Sequence, residues 1–89
     1  MRLDKYLKVS RIIKRRTVAK ELADDERVFI NGKKAKPASE VLVGDEVEIR
    51  FEHRHITIEV TFLSDKIMRN NPPMYDLVSD KKVERPPLS

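Results

Sequence analysis

The chain has 89 residues, 39% of them hydrophobic, and its aromatic residues are two Tyr and three Phe without Trp. A chain this short encloses one modest core, so we expect a single folded unit without a deep small-molecule pocket. The absence of Cys excludes disulfides, thiolate metal sites and cysteine nucleophiles. No apolar stretch approaches the roughly 20 residues of a membrane-spanning helix, and we expect a cytoplasmic protein without a membrane partner.

The net charge of +4 is distributed unevenly along the chain. Residues 1–36 contain twelve Lys or Arg and five Asp or Glu, a net of +7, whereas residues 37–89 contain seven and ten, a net of −3. Within Arg2–Lys20, eight basic residues accompany a single acid, Asp4. This segregation is typical of a surface that binds a polyanion, because a merely solvated face usually mixes both signs of charge.

The first predicted element is a helix over Arg2–Ser10, because apolar residues recur there with the helical period. Its packing face contains Leu3, Tyr6, Leu7 and Ser10. Its opposite face contains Arg2, Lys5 and Lys8. A turn near Val9–Lys14 follows, and we expect Ile12 and Ile13 to anchor it to the core.

A second helix is predicted over about Arg15–Asp25. Its apolar stripe contains Val18, Ala19, Leu22 and Ala23. Arg15 and Arg16 stand at its start, where the helix dipole already places partial positive charge. A bound phosphate would compensate for this unfavourable placement of cations.

The remaining predicted elements are strands. Arg27–Ile30 precedes Asn31-Gly32, a strong hairpin signal, and Lys33–Lys36 forms the return. Amphipathic strands are predicted over Glu46–Phe51 and His53–Leu63. Their inward positions are Val47, Ile49, Phe51, Ile56, Ile58, Val60 and Phe62. A later apolar group either covers the sheet or forms a partner surface, and it contains Met74, Tyr75, Leu77 and Val78.

The order of two helices and a hairpin resembles the RNA-binding domain first defined in bacterial ribosomal protein S4, also called the αL motif. The residues that carry the resemblance are Arg2-Leu3-Asp4-Lys5-Tyr6-Leu7, Arg11-Ile12-Ile13-Lys14, Ala19, Val28 to Gly32, Lys36-Pro37 and Val43-Gly44-Asp45. The resemblance covers about residues 1–51. It implies a small α+β fold with two N-terminal helices packed on a short antiparallel sheet. We assign residues 1–64 to this domain with an added strand, and residues 65–89 to a C-terminal extension that is flexible after about residue 79.

Lys8–Thr17 and Met74-Tyr75 are also similar to the RqcP family of stand-alone members, over most of the chain. This resemblance implies a non-catalytic, cofactor-free factor that binds ribosomal RNA and peptidyl-tRNA on stalled large ribosomal subunits. It also implies support for an RqcH-like partner that adds a C-terminal alanine tail. We expect a monomer. The related fifteen-kilodalton heat-shock protein, which rescues large subunits, offers an alternative function within the same family.

Two positions depart from the pattern of the family. Many members carry Ser or Thr at the position of Arg15, where the hydroxyl would cap the second helix, and Gly at the position of Glu26. Arg15 adds a positive charge at this position but has no hydroxyl that could cap the helix. Glu26 adopts the left-handed backbone of a helix end less readily than glycine does, so we predict a different turn before Arg27.

The predicted phosphate contacts are cations of the two helices and their connection. They are Arg2, Lys5, Lys8, Arg11, Lys14, Arg15, Arg16 and Lys20. Arg16 is the strongest candidate, because main-chain N–H groups at the helix start can hold the same phosphate. In the fold of the family the hairpin adjoins the helices, so Lys33, Lys34 and Lys36 extend the predicted surface.

Several residues have a structural interpretation. Asp4 is expected to orient basic side chains, because acid–base catalysis usually requires a second positioned group and none is evident. Tyr6 is assigned to the core rather than to base stacking. His53 and His55 share a strand face but have no third ligand, so no metal site is predicted.

Two other functions compete with an RNA-binding factor. One is an accessory domain of an RNA-modifying enzyme, which the short length and the absence of a catalytic Asp motif or a glycine-rich nucleotide loop argue against. The other is a protein–protein adaptor that uses the acidic C-terminal part, with the basic helices serving solubility.

Overall fold

A computed structural model describes residues 1–65 and 72–83. The helices and strands are α1 (Leu3–Val9), α2 (Arg16–Asp24), β1 (Val28–Ile30), β2 (Lys33–Lys34), β3 (Glu46–Arg50), β4 (Arg54–Val60) and β5 (Tyr75–Lys82). The strands form one antiparallel sheet in the order β2-β1-β3-β4-β5, and the two helices precede it. The α+β fold predicted from the sequence is confirmed. None of the helices in these two ranges is long and apolar enough to cross a bilayer.

Helix α1 forms where the periodicity predicts it. Leu3, Tyr6 and Leu7 are fully buried, and Ser10 just after the helix is buried too. The hydroxyl of Tyr6 donates a hydrogen bond of 2.8 Å to the carbonyl of Met74, just before β5. Burial raises the pKa of this phenol, and Tyr75 adds to the shift, so the hydroxyl stays protonated and can donate. The assignment of Tyr6 to the core is confirmed.

Helix α2 packs with a narrower face than predicted. Ala19 and Ala23, one helical turn apart, are buried, and Leu22 is partly buried. Val18 is 40% exposed, so its predicted place in the apolar stripe is wrong. Consecutive residues of a helix are separated by about 100° around its axis, so Val18 points away from the face that buries Ala19.

The end of α2 corrects the prediction for Glu26. Glu26 adopts a left-handed φ of 61° despite its side chain. Its N–H donates to the carbonyl of Ala23 (3.1 Å), and the N–H of Arg27 donates to the carbonyl of Leu22 (3.0 Å). This pair of bonds is the Schellman motif, which satisfies carbonyls at the helix end. The turn is thus the one that glycine usually forms at the end of a helix. Glu26 adopts the same left-handed backbone at a cost in conformational energy.

The hairpin turn is confirmed in detail. Asn31 and Gly32 have φ of 51° and 82°, as a two-residue turn between antiparallel strands requires. The Asn31 side chain donates to the Asp45 carboxylate (3.1 Å) and accepts from the N–H of Glu46 (3.0 Å). It therefore ties the turn to the start of β3. Strand β2 is shorter than the predicted return over Lys33–Lys36.

The core lies between the helices and one face of the sheet. Val47, Ile49, Ile58 and Val60 alternate along β3 and β4 and are at most 1% exposed. Three other predicted inward residues are only partly buried, namely Phe51, Ile56 and Phe62. Phe51 lies just beyond β3, because that strand ends at Arg50. Phe62 lies just beyond β4, because that strand ends at Val60 and not at Leu63.

Strand β5 was not predicted from the sequence. It pairs with β4 from Val60↔Tyr75 to Arg54↔Lys82, with a register shift at Thr57/Ile58. Flexible chain was predicted after about residue 79, whereas residues 80–82 lie in β5. The tail over 84–89 lies outside the described residues. The division of the chain at residue 65 stays a prediction, although β5 belongs to the same sheet as β4.

Candidate nucleic-acid interface

The connection between the helices is anchored as predicted. Ile13 is 5% exposed, and its N–H donates to the carbonyl of Leu7 (3.0 Å), while Ile12 is partly buried. Arg11 has a left-handed φ of 66°, and its N–H donates to the carbonyl of Lys8 (3.0 Å). The backbone of the turn is therefore fixed by the core, while the side chain of Arg11 is exposed.

The two helix starts differ in how their N–H groups are used. At α1, the N–H groups of Leu3 and Asp4 donate to the carbonyls of Ser39 (2.8 Å) and Pro37 (3.1 Å). At α2, the capping position is occupied by Arg15, and no side chain among the described residues caps the helix there. The first turn of α2 contains no acid. The start of α2 is therefore the more open anion-binding end of the two helices.

Three consecutive cations surround this open helix start. Lys14, Arg15 and Arg16 are all exposed. The extended backbone of Arg15 (φ −122°, ψ 130°) places it at the capping position that the family resemblance implied, without the cap that Ser or Thr would supply. Positive side chains, a positive helix end and uncapped N–H groups thus converge on one place.

A buried carboxylate joins the two helix starts. The Asp4 side chain is 4% exposed and accepts from Arg2 Nε (3.3 Å), from Arg2 Nη2 (3.3 Å) and from Arg16 Nη2 (3.4 Å). The main-chain N–H of Lys5 donates to it as well (2.8 Å). Both guanidinium groups remain about half exposed, at 53% for Arg2 and 46% for Arg16. The predicted orienting contact of Asp4 with basic side chains is present.

The ionisation of Asp4 is maintained by these same contacts. Burial alone would raise its pKa. The hydrogen bonds from Arg16 and from the Lys5 N–H, together with the charges of Arg16 and Arg2, lower the pKa by more than burial raises it. The pKa of Asp4 therefore lies below its ordinary value, and the carboxylate is ionised at neutral pH. A permanent anion beneath Arg2 and Arg16 keeps both guanidinium groups in place.

The other predicted contacts occupy different surroundings. Lys5 forms an ion pair with Asp65 (3.3 Å) and Lys34 with Glu26 (3.1 Å). The candidates not yet described in an ion pair also have exposed side chains, and they are Lys8, Arg11, Lys14, Arg15, Lys20, Lys33 and Lys36. Asp65 and Glu26 were not recognised as counter-charges from the sequence, because no local pattern marks a pair that only the tertiary fold brings together.

The two histidines do not share a strand as predicted, because β4 begins at Arg54, which leaves His55 in the strand and His53 just before it. His53 Nε2 lies 3.8 Å from a carboxylate oxygen of Glu52. Within residues 1–65 and 72–83, no group of three or more His, Asp or Glu side chains is arranged to hold a metal ion.

Comparison with known proteins agrees with the basic helix pair and sheet. The family model described as the S4 domain matches residues 1–47, which contain both helices and the hairpin. A solved trimeric structure of Vibrio cholerae heat shock protein 15 has a TM-score of 0.75 and 31% identity, over 89% of this chain and 82% of that chain.

Curated relatives match over nearly their whole length. The RQC P-site tRNA stabilizing factor of Streptococcus pneumoniae is 49% identical over 85 residues, which is 94% of this chain and 97% of the relative. The Bacillus subtilis protein of the same name is 48% identical over 84 residues, or 93% and 98%. The chain therefore belongs to the S4 domain family, and within it to the family of these stabilizing factors.

Proposed function

We propose that the chain is a non-catalytic, cytoplasmic RNA-binding factor of ribosome-associated quality control. In this role it binds ribosomal RNA and peptidyl-tRNA on stalled large ribosomal subunits. The observation that carries the proposal is the open start of α2, where uncapped N–H groups meet Lys14, Arg15 and Arg16. The names of the relatives, RQC P-site tRNA stabilizing factor, support P-site tRNA as one of the bound RNAs.

Phosphate binding follows from the geometry at this helix start. The N–H groups and the helix dipole attract an anion, and a guanidinium adds paired hydrogen bonds to its oxygens. Asp4 holds Arg16 through Nη2, so less side-chain freedom remains to be lost when RNA binds. Because phosphate geometry carries no base sequence, this surface recognises the shape of folded RNA.

The remaining predicted cations extend the surface along α1 and the hairpin. Lys8 and Arg11 continue it at the end of α1, and Lys33 and Lys36 continue it on the hairpin. We propose that the protein acts as a monomer and supports an RqcH-like factor during alanine tailing. Its contribution there is to hold the tRNA, since the proposed role contains no chemical step.

Charge removal at Arg16 tests the RNA contact. Arg16→Gln is compared with Lys81→Gln, which removes the same charge from an exposed position on β5. We expect Arg16→Gln to weaken co-sedimentation with large subunits carrying peptidyl-tRNA about tenfold or more, since hydrogen bonds between charged groups contribute about 1.5–3 kcal/mol. The slope of log affinity against log salt should fall by about one, whereas Lys81→Gln should change neither quantity. Equal losses in both variants would contradict the proposal.

The tailing role has its own assay. Purified stalled large subunits are supplied with the RqcH-like factor, alanyl-tRNA and either the native chain or Arg16→Gln, and tail length is measured. Longer tails with the native chain than with the variant support the role. If Arg16→Gln still binds subunits normally but loses tailing, the chain acts as a protein–protein adaptor instead.

A further inference from the structure

The helices leave part of the inner sheet face open. Beside the α1–α2 connection, a groove of about 700 Å³ lies over the ends of β3, β4 and β5. Its apolar lining residues are Ile12, Phe51, Ile56 and Val83. All four are only partly buried, in contrast to the fully buried residues further along the same strands. The groove is thus an accessible apolar surface on the same side of the sheet as the basic helices.

We propose that this groove receives one unstacked base of the bound RNA. The inference rests on the RNA-binding function proposed above and adds a second kind of contact to it. Ile12 forms one wall of the groove and belongs to the same connection as the exposed cations Arg11 and Lys14. An RNA strand whose phosphates are held at this connection therefore passes the mouth of the groove and can turn a base into it.

The charges around the groove favour an uncharged ring over a phosphate. Arg54 Nε lies 3.0 Å from Asp80 Oδ1, and His53 Nε2 lies 3.8 Å from Glu52 Oε1. Arg54 and His53 on this rim thus each have a carboxylate neighbour, and Lys82 is the remaining basic residue that lines the groove. Such a rim has little net attraction for an anion but offers both donors and acceptors, which match the edge of a nucleobase.

The residues that line the groove are suited to contact a base. Aromatic side chains stack on bases of any sequence, and here Phe51 supplies the aromatic ring, with the apolar side chain of Ile56 also lining the groove. The Arg54 guanidinium contacts Asp80 through Nε, and its four other N–H donors allow further bonds to a base.

Methyl NMR spectroscopy tests the inference with small probes. Isoleucine methyl groups are labelled, so that Ile12 and Ile56 report on the groove and Ile30 in β1 serves as an internal control. The probes are adenosine monophosphate, ribose 5-phosphate and N-acetyl-leucinamide at equal concentrations. We expect adenosine monophosphate alone to shift both groove methyls, with Ile30 unchanged.

Two variants check the location. Ile56→Ala shortens the floor, and Val78→Ala makes a similar deletion on β5 at a residue that is 56% exposed and outside the groove. We expect adenosine monophosphate to bind Ile56→Ala at least threefold more weakly, and Val78→Ala to bind it like the native chain. Arg54→Gln, which changes only a half-exposed rim residue, should weaken binding as well, and this variant guards against a folding defect in Ile56→Ala.

Three other outcomes overturn the inference. Equal shifts with ribose 5-phosphate mean that only phosphate binds, and shifts with N-acetyl-leucinamide alone mean that the groove accepts a peptide. No shift with any probe, while the native chain still sediments with large subunits, removes the base site and leaves the proposed function intact. Conversely, base-specific shifts combined with an unaffected Arg16→Gln variant keep the groove and contradict the proposed phosphate contact.

Discussion

Arg11 and Glu26 form a natural pair for separating stability from RNA binding. Both end a helix with a left-handed backbone, at φ of 66° and 61°. A side chain in this conformation costs about 1–2 kcal/mol. Glycine removes that cost but loses about 0.5–1 kcal/mol more conformational entropy on folding. Arg11→Gly and Glu26→Gly should therefore each stabilise the fold by about 0.5–1 kcal/mol, with Glu26→Gly at the lower end because it also loses the exposed pair with Lys34.

The two substitutions should differ in their effect on RNA binding. Urea unfolding should show a raised midpoint with an unchanged slope for both, and a gain of 1 kcal/mol corresponds to about 4–8 °C in Tm for a domain of this size. Co-sedimentation with large subunits carrying peptidyl-tRNA should be unchanged for Glu26→Gly. For Arg11→Gly it should be about tenfold weaker, because the cation is lost from the helix connection. Arg11 then exemplifies backbone strain retained at a functional position.

A third variant tests the strain argument itself. Glu26→Ala loses the same ion pair as Glu26→Gly but keeps a side chain in the left-handed conformation. It should be about 1 kcal/mol less stable than Glu26→Gly. Equal midpoints for these two variants would refute the account of strain. Binding of Arg11→Gly at the native level would refute the placement of the RNA contact at the helix connection.

Three further substitutions test the contacts around the helices and the hairpin. Because the pKa of Asp4 is lowered on folding, its contribution is present above the unfolded value near 3.8 and is lost as pH falls through the folded value. The destabilisation by Asp4→Asn should therefore grow as the pH rises from below the folded value to above 3.8, and a pH-independent difference in urea unfolding would contradict this. Tyr6→Phe removes one of two donors to the Met74 carbonyl, which keeps the N–H of Thr61 (3.1 Å), and should cost about 0.5–1.5 kcal/mol in the same assay, with a null effect counting against the contact. Asn31→Ala removes the bond to Asp45 as well as a residue suited to positive φ, and thermal unfolding should show a loss of about 1–2 kcal/mol.

The parts of the fold that were predicted correctly have local causes. The burial of Leu3 and Leu7 follows from the helical period, and the turn at Asn31-Gly32 follows from the two residue types that accept positive φ. The place of Arg15 at the start of α2 was also predicted, because the family pattern has its capping residue at this position. Each of these features depends on neighbours within a few residues.

The features that were missed depend on distant parts of the chain. Strand β5 is an edge strand with one paired side, so it tolerates polar residues such as Asp76 and Lys81 and lacks an apolar alternation. The ion pair of Lys5 with Asp65 joins residues far apart in the sequence. The groove beside Ile12 is assembled from the helix connection and the ends of three strands, and no single segment shows it.

The hydrogen bond between Tyr6 and Met74 links α1 to the residue just before β5, across 68 residues of sequence. Contacts of such separation form late in folding, since the loop that they close is nearly the whole chain. While this chain is being synthesised, α1 has no partner for its phenol until the segment before β5 has left the ribosome. A chain interrupted before residue 74 therefore lacks the acceptor of the Tyr6 hydroxyl and the strand that pairs with β4. The buried hydroxyl of α1 thus depends for its hydrogen bond on residues beyond the S4-domain match, which ends at residue 47.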